Sequence, residues 1–193
     1  MKILGALALV VVLLGLWAVG SYNGLVGRRE AVGSAWSQVE NQYQRRMDLV
    51  PNLVEVVKGS AKFEKDTLTA VVDARARVGS MTVDKSVLDN PDSFKKFQES
   101  QAALGSALQH LMVVAEAYPQ LTATQGYRDL QVQLEGTENR IAVARKDFND
   151  VAQDYNTAIK TFPGVLIAGL GAFRERPYFA ADAAAAKAPA VKF

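Results

Sequence analysis

Apolar residues first form one unbroken run and then recur only at helical spacing. Ile3–Gly20 (ILGALALVVVLLGLWAVG) holds eighteen consecutive residues with no charged or strongly polar side chain. Beyond it, Leu25, Val32, Trp36 (with Ala35), Val39, Tyr43 and Met47 fall at helical intervals, with Arg28, Glu30, Gln38, Glu40 and Gln44 between them. This predicts a helix over Tyr22–Asp48. Pro51 removes one backbone donor and biases Val50 away from helix, so a kink or a tight corner is expected, with one helix or two left open. The pattern resumes through Leu53, Val56, Val57, Ala61, Leu68, Val71, Val72 and Val78, with Gly59 tolerated inside it at a cost of about 1 kcal/mol. Gly79–Asn90 is polar and aperiodic and reads as a loop. Asn90-Pro91-Asp92 restarts a helix, with Asn as N-cap, Pro at the first helical position and an acid in the first turn. Phe94, Phe97, Leu104, Leu108, Leu111 and Ala115 form its stripe, and Tyr118-Pro119 ends it.

The clearest periodicity runs over Gln125–Thr161. Tyr127, Leu130, Leu134, Thr137, Ile141, Ala144, Phe148, Val151, Tyr155 and Ala158 alternate steps of three and four. That is the 3.5-residue repeat of a coiled coil or a long bundle helix. Pro163 stops it. No convincing alternating strand pattern exists, so the fold class is all-α. A single transmembrane helix is followed by an antiparallel bundle of long helices that buries every stripe. The corresponding division is an anchor over 1–21, a bundle over 22–173 and a largely disordered tail over 174–193, whose end, Ala181–Phe193, is a low-complexity Ala/Lys/Pro segment.

As a helix the apolar run is roughly 27 Å long, close to a hydrocarbon core of about 30 Å. Ile3, Leu4, Leu7, Leu9, Val10, Leu13, Leu14, Leu16, Trp17 and Val19 are its expected lipid contacts. Trp17 and Tyr22 sit where amphipathic rings prefer the interface. A cleaved signal peptide, with Ala18-Val19-Gly20 as its small-residue site, would have a shorter apolar region of about 7–15 residues. A buried core helix is the other competing reading. Lys2 stands on one side of the run and Arg28 and Arg29 on the other, so the positive-inside rule returns a tie.

Composition removes several function classes. The chain carries 22 basic and 20 acidic residues, a net charge of +2, which gives no support to nucleic-acid binding. It has no cysteine, so disulfides, thiol catalysis, thiolate metal sites and cysteine lipidation are excluded. The lone His110 lies beside the Leu104/Leu108/Leu111 stripe with Ala107 three residues before it, so the Glu-x-x-His pair of di-iron bundles is missing. Gly169-Leu170-Gly171 lacks a third glycine and a preceding strand. No catalytic residue, metal ligand or cofactor site is expected.

Two polar clusters remain. One is Gln44-Arg45-Arg46-Met47-Asp48 with Pro51 and Asn52. The other is Glu138-Asn139-Arg140 with Arg145, Asn149 and Asn156. Glu138 and Arg145 are seven apart, as are Asn149 and Asn156, so each pair shares a helix face. Flanking salt bridges and inter-helix hydrogen bonds that fix register are the plain reading; a polar surface or buried network that meets a partner is the functional one. Phe162–Phe173 (FPGVLIAGLGAF) is too short to span a bilayer as a helix. Packing over the end of the bundle is expected of it, with membrane or subunit contact as the alternative.

At these residues the sequence resembles the bacterial LemA family. The matching motifs are Tyr22-Asn23-Gly24-Leu25-Val26, Ala35-Trp36, RRMDLVPNLVEVVKG (Arg45–Gly59), Glu64 and Ala74-Arg75-Ala76. They continue with YPQL (Tyr118–Leu121), TENRIAVARKDFNDVAQDYN (Thr137–Asn156), Phe162-Pro163 and Tyr178-Phe179. The resemblance implies an N-terminal membrane segment followed by an antiparallel helical bundle, and it supplies no catalytic residues. Some relatives place a lipid-attachment cysteine just before the Tyr-Asn pair, where this chain has Ala18-Val19-Gly20-Ser21. That implies an inner-membrane, single-pass protein with an extracytoplasmic bundle, although hydropathy readings of other relatives place the bundle in the cytoplasm. The functional expectation is a non-enzymatic, membrane-anchored scaffold that self-associates or binds other membrane proteins, and touches lipid through its N-terminal helix. The alternative is a membrane-remodelling protein whose Phe162–Phe173 segment contacts lipid.

Overall fold

The computed structural model describes residues 2–59, 63–81 and 84–180. Among them there is no strand, and the helices are α1 (Lys2–Lys58), α2 (Lys65–Gly79), α3 (Pro91–Ala115), the single turn α4 (Pro119–Thr122), α5 (Gln125–Lys160) and α6 (Gly164–Leu170). A 3-10 turn, Lys85–Asp89, precedes α3. α1 lies along α5, and α2 lies along α3. Ala61 and the low-complexity end Ala181–Phe193 fall outside the described residues.

α1 is one helix of 57 residues, about 85 Å long. Its stretch Ile3–Trp17 is exposed on every side, and the helix is long and apolar enough there to cross a membrane. From Leu25 it acquires a buried stripe: Val32, Trp36, Val39, Tyr43, Arg46, Val50, Leu53 and Val57. The stripe passes through Arg46 rather than Met47, which is only half-buried.

Pro51 does not divide α1, which runs unbroken through it. Its ring sits on the exposed side, and the carbonyl it leaves without a helical donor, that of Met47, accepts Nε–H of Arg75 from α2 at 3.4 Å. The break comes later. Gly59 does not lie inside a continuing helix; α1 ends at Lys58 and the chain folds back so that Val71, Ala74 and Val78 of α2 cover Val50, Leu53 and Val57. Gly79–Asn90 is also more than a loop. Asp84 caps the 3-10 turn by accepting from the Ser86 amide at 2.8 Å, and Val87 and Leu88 are buried beneath it.

α3 starts where its sequence says. The Asn90 side chain accepts from the amides of Asp92 (2.9 Å) and Ser93 (3.2 Å), with Pro91 at the first helical position. Its six expected stripe residues are all buried, with Gln101 among them. α5 follows the 3.5-residue repeat only as far as Phe148. Beyond it burial shifts by one residue, to Ala152, Tyr155, Asn156 and Ile159, leaving Val151 and Ala158 half-buried. A helix that is not supercoiled drifts by about 20° per heptad, and after several heptads the drift amounts to a change of register.

The core has two halves. One gathers Trp36, Tyr43, Phe94, Phe97, Phe148, Tyr155 and Phe179; the other gathers Val50, Leu53, Val57, Val71, Leu104, Leu108, Leu111 and Tyr127. Residues 174–180, assigned from sequence to a disordered tail, instead run extended as a strap along α5 and place Phe179 in the first half.

Candidate functional site

Between the two halves of the core lies a polar network. Arg46 of α1, 3% exposed, donates from Nη2 to the Gln101 backbone carbonyl at 2.9 Å and to the Gln101 side-chain oxygen. Its Nη1 pairs with Glu138 of α5 at 3.1 Å. Three helices therefore meet on one guanidinium, which also lies 5.0 Å from the Tyr43 ring centroid. Its Nε is buried without a partner. A charge buried at a stripe position carries a desolvation cost that its ion pair and hydrogen bonds offset.

Above this network an open groove of about 930 Å³ runs between α3 and α5, with Tyr43 and Arg46 in its floor and Ala180 at one end. Its α3 wall carries Gln98, Gln109 and Met112 with the small residues Ala102, Gly105 and Ser106 between them, and ends near Val113, which is 64% exposed. Glu99, Glu116 and Glu135 stand around it.

The second cluster holds the strap. Asn156 donates to the Arg176 carbonyl (2.8 Å) and accepts from the Arg176 amide (2.8 Å). Asn149 does the same with Phe179, at 3.0 and 2.9 Å. The two clamps match because seven helical residues rise about 10.5 Å, and three extended residues advance about 10 Å. Arg145 adds a bond to the Ala180 carbonyl at 2.8 Å and lies 4.9 Å from the Phe179 ring centroid.

Three of the sequence candidates thus grip the strap (Arg145, Asn149, Asn156) and two build the pin (Arg46, Glu138). The rest do not join them. Arg45, Asp48, Pro51 and Asn52 are exposed on the outer side of α1, where Asp48 accepts from Gln44 at 2.7 Å. Asn139 and Arg140 are exposed beside a shallow recess between α1 and α5. Gln101, a stripe position, and the strap residues Arg176 and Phe179 are the parts that sequence reasoning left out.

Phe162–Phe173 divides its two faces. Ile167, Ala168 and Phe173 are buried, and Phe173 meets Tyr22 edge-on at 5.5 Å. Gly164 is required here, since a Cβ would fall 2.1 Å from the Ala158 carbonyl oxygen. The opposite face leaves Phe162 (80%), Leu170 (88%), Leu166 and Val165 exposed. The expected packing over the bundle's end describes one face of this segment only.

A helix able to cross a membrane, continuous with an α-helical bundle, defines a membrane-associated helical-bundle protein. The chain belongs to the LemA family, whose profile matches residues 35–193. It is similar to magnetosome protein MamQ 2 of Paramagnetospirillum magneticum and to magnetosome protein MamQ of Magnetospirillum gryphiswaldense. Each is 28% identical over 174 residues, covering 82% of this chain and 64% of the relative. It is also similar to protein LemA of Metamycoplasma hominis, 24% identical over 144 residues, covering 75% of this chain and 62% of the relative. The matched part therefore spans less than two thirds of these relatives' own length.

Proposed function

We propose that the protein is a non-enzymatic scaffold of the inner membrane that holds its bundle outside the cytoplasm and presents the α3/α5 groove to a helix of another membrane protein. The observation that carries this reading is α1 itself. Anchor and core stripe belong to one helix, so the groove has a fixed height and direction relative to the bilayer. The groove suits a helix on two grounds: the Ala102, Gly105 and Ser106 stretch permits close approach at its middle, and Glu99, Glu116 and Glu135 complement Lys or Arg flanking an apolar ridge.

The cysteine-free chain allows a single labelled position. Val113→Cys in the full chain, treated in cells whose outer barrier is opened with a membrane-impermeant photoactivatable maleimide, is expected to label before lysis. On illumination it is expected to cross-link a second polypeptide, and Glu99→Lys with Glu135→Lys is expected to abolish the adduct. Labelling only after the inner membrane is broken would overturn the orientation. Adducts with a second copy alone would replace the heterologous partner with self-association.

A second reading, lipid contact by the 162–173 segment, is favoured by its exposed apolar face. Tyr22 and Leu25 tie this segment to the emerging end of the anchor, so Leu166 and Leu170 sit where the bilayer surface would lie. A nitroxide on Leu166→Cys, in full chain reconstituted into nanodiscs, is expected to be more accessible to oxygen than to a water-soluble nickel complex. The reverse order would remove the lipid contact and with it any remodelling role.

A further inference from the structure

One to two turns of α1 beyond the α6 contact, a recess of about 480 Å³ opens between α1, the 3-10 turn and the start of the strap. Four cations surround it, Arg29, Lys85, Arg174 and Arg176, against two carboxylates, Glu30 and Asp89. Only one of the two carboxylates is engaged there, Asp89 with Nη1 of Arg176. Arg174 has no carboxylate partner among the described residues. One further group is unsatisfied there: Nε of the largely buried Arg176 has no hydrogen-bond partner. Lys85 crosses α1 at Gly33, where its ammonium lies close against the helix.

We infer that this recess is a binding site for the phosphate of an anionic phospholipid headgroup. A phosphodiester supplies what the site lacks, namely negative charge and acceptor oxygens for guanidinium and ammonium donors. The height argues for a lipid rather than a free anion. Leu25 touches α6, whose exposed apolar face puts the apolar boundary at that level. Arg29 is four residues farther along α1, about 6 Å, within a headgroup layer of roughly 5–7 Å, and its guanidinium reaches back to the Phe173 ring at 5.2 Å. The cation cluster stands independently of the groove; its assignment to a lipid rests on α6 facing the bilayer, which the Leu166 label tests separately.

The test is native mass spectrometry of the full chain in a neutral detergent with equal phosphatidylglycerol and phosphatidylcholine. Preferential retention of phosphatidylglycerol is expected, about five-fold for each cation that engages it. Lys85→Gln with Arg174→Gln, both on exposed side chains, is expected to lower the preference about 25-fold. Lys95→Gln with Lys96→Gln, on the outer face of α3, is expected to leave it intact. Equal retention of the two lipids by the parent chain, or a preference unchanged in the Lys85/Arg174 pair, would overturn the proposal. A phosphate adduct from millimolar inorganic phosphate, without a lipid preference, would keep an anion site and overturn its assignment to a headgroup.

Discussion

Trp36→Ala is expected to lower the stability of the bundle by about 4 kcal/mol, near the upper end for a large-to-small core change. Trp36 is fully buried, and four rings surround it: Phe97 at 5.2 Å, Phe148 at 5.6 Å, Phe94 at 5.8 Å and Phe179 at 6.1 Å between centroids. These rings come from α3, α5 and the strap, so no single element can move in to fill the void. The indole N–H also donates to Glu40 at 2.6 Å, and Glu40 is half-buried with its carboxyl pushed up by that burial, an effect the indole bond opposes. Loss of the indole removes the donor as well as the volume. The measurement is thermal unfolding of the full chain in mild detergent, followed by circular dichroism. Hydrogen exchange adds a local readout, because the Arg176 and Phe179 amides are held by Asn156 and Asn149. Both amides are expected to exchange faster once Phe179 loses its stacking partner. A change below about 1 kcal/mol, with strap exchange unaltered, would show that the aromatic cluster is not what holds the strap, since such a value is ordinary for a surface substitution.

What the sequence discloses about this molecule depends on how local the responsible interaction is. The anchor and the α3 cap are local: an apolar run has its own length, and Asn90-Pro91-Asp92 has its own chemistry. The stripes of α3 and of the first half of α5 are equally legible, because each repeats often enough to define a face. Legibility fails where one step in the pattern is ambiguous. Tyr43 to Met47 is a step of four and Tyr43 to Arg46 a step of three, and hydrophobicity favours the wrong one. Val87-Leu88 is too short an apolar pair to show a period, and its burial comes from tertiary contact alone. Asn149 and Asn156 reveal a shared face but not its occupant, since the strap follows some twenty to thirty residues later and carries no repeat of its own. Pro51 shows the same limit in reverse. A local rule predicts a break, and Arg75 from another helix supplies the donor that the rule says is missing.

The Arg46 network makes the second large prediction, and its direction is the opposite of what exposure suggests. Glu138 is 44% exposed on its side chain and Arg46 only 3%. An exposed acid is usually dispensable, yet Glu138→Ala leaves a guanidinium buried between the two core halves with no countercharge, for an expected cost of about 3 kcal/mol. Arg46→Met removes the buried charge itself. It strands the Gln101 side-chain oxygen, while Glu138 can turn to water, and it also eliminates the unpartnered Nε, for an expected cost of about 1–2 kcal/mol. Chemical denaturation of the two variants in the same detergent decides the order. The combined change Arg46→Met, Gln101→Leu and Glu138→Ala leaves Thr137, whose hydroxyl donates to the Gln133 carbonyl of its own helix, as the buried polar group at the junction, and is expected to return close to the parent stability. Specificity is where it should fail. With an apolar junction, nothing at this level distinguishes one register of α1 against α3 and α5 from a slip of one turn. The amide resonances of Tyr43, Phe97 and Ile141, which flank the network on one side, are expected to split or broaden. A triple variant with a single sharp set of resonances would show that register is fixed by the aromatic cluster around Trp36, and that Arg46 is kept for the groove above it.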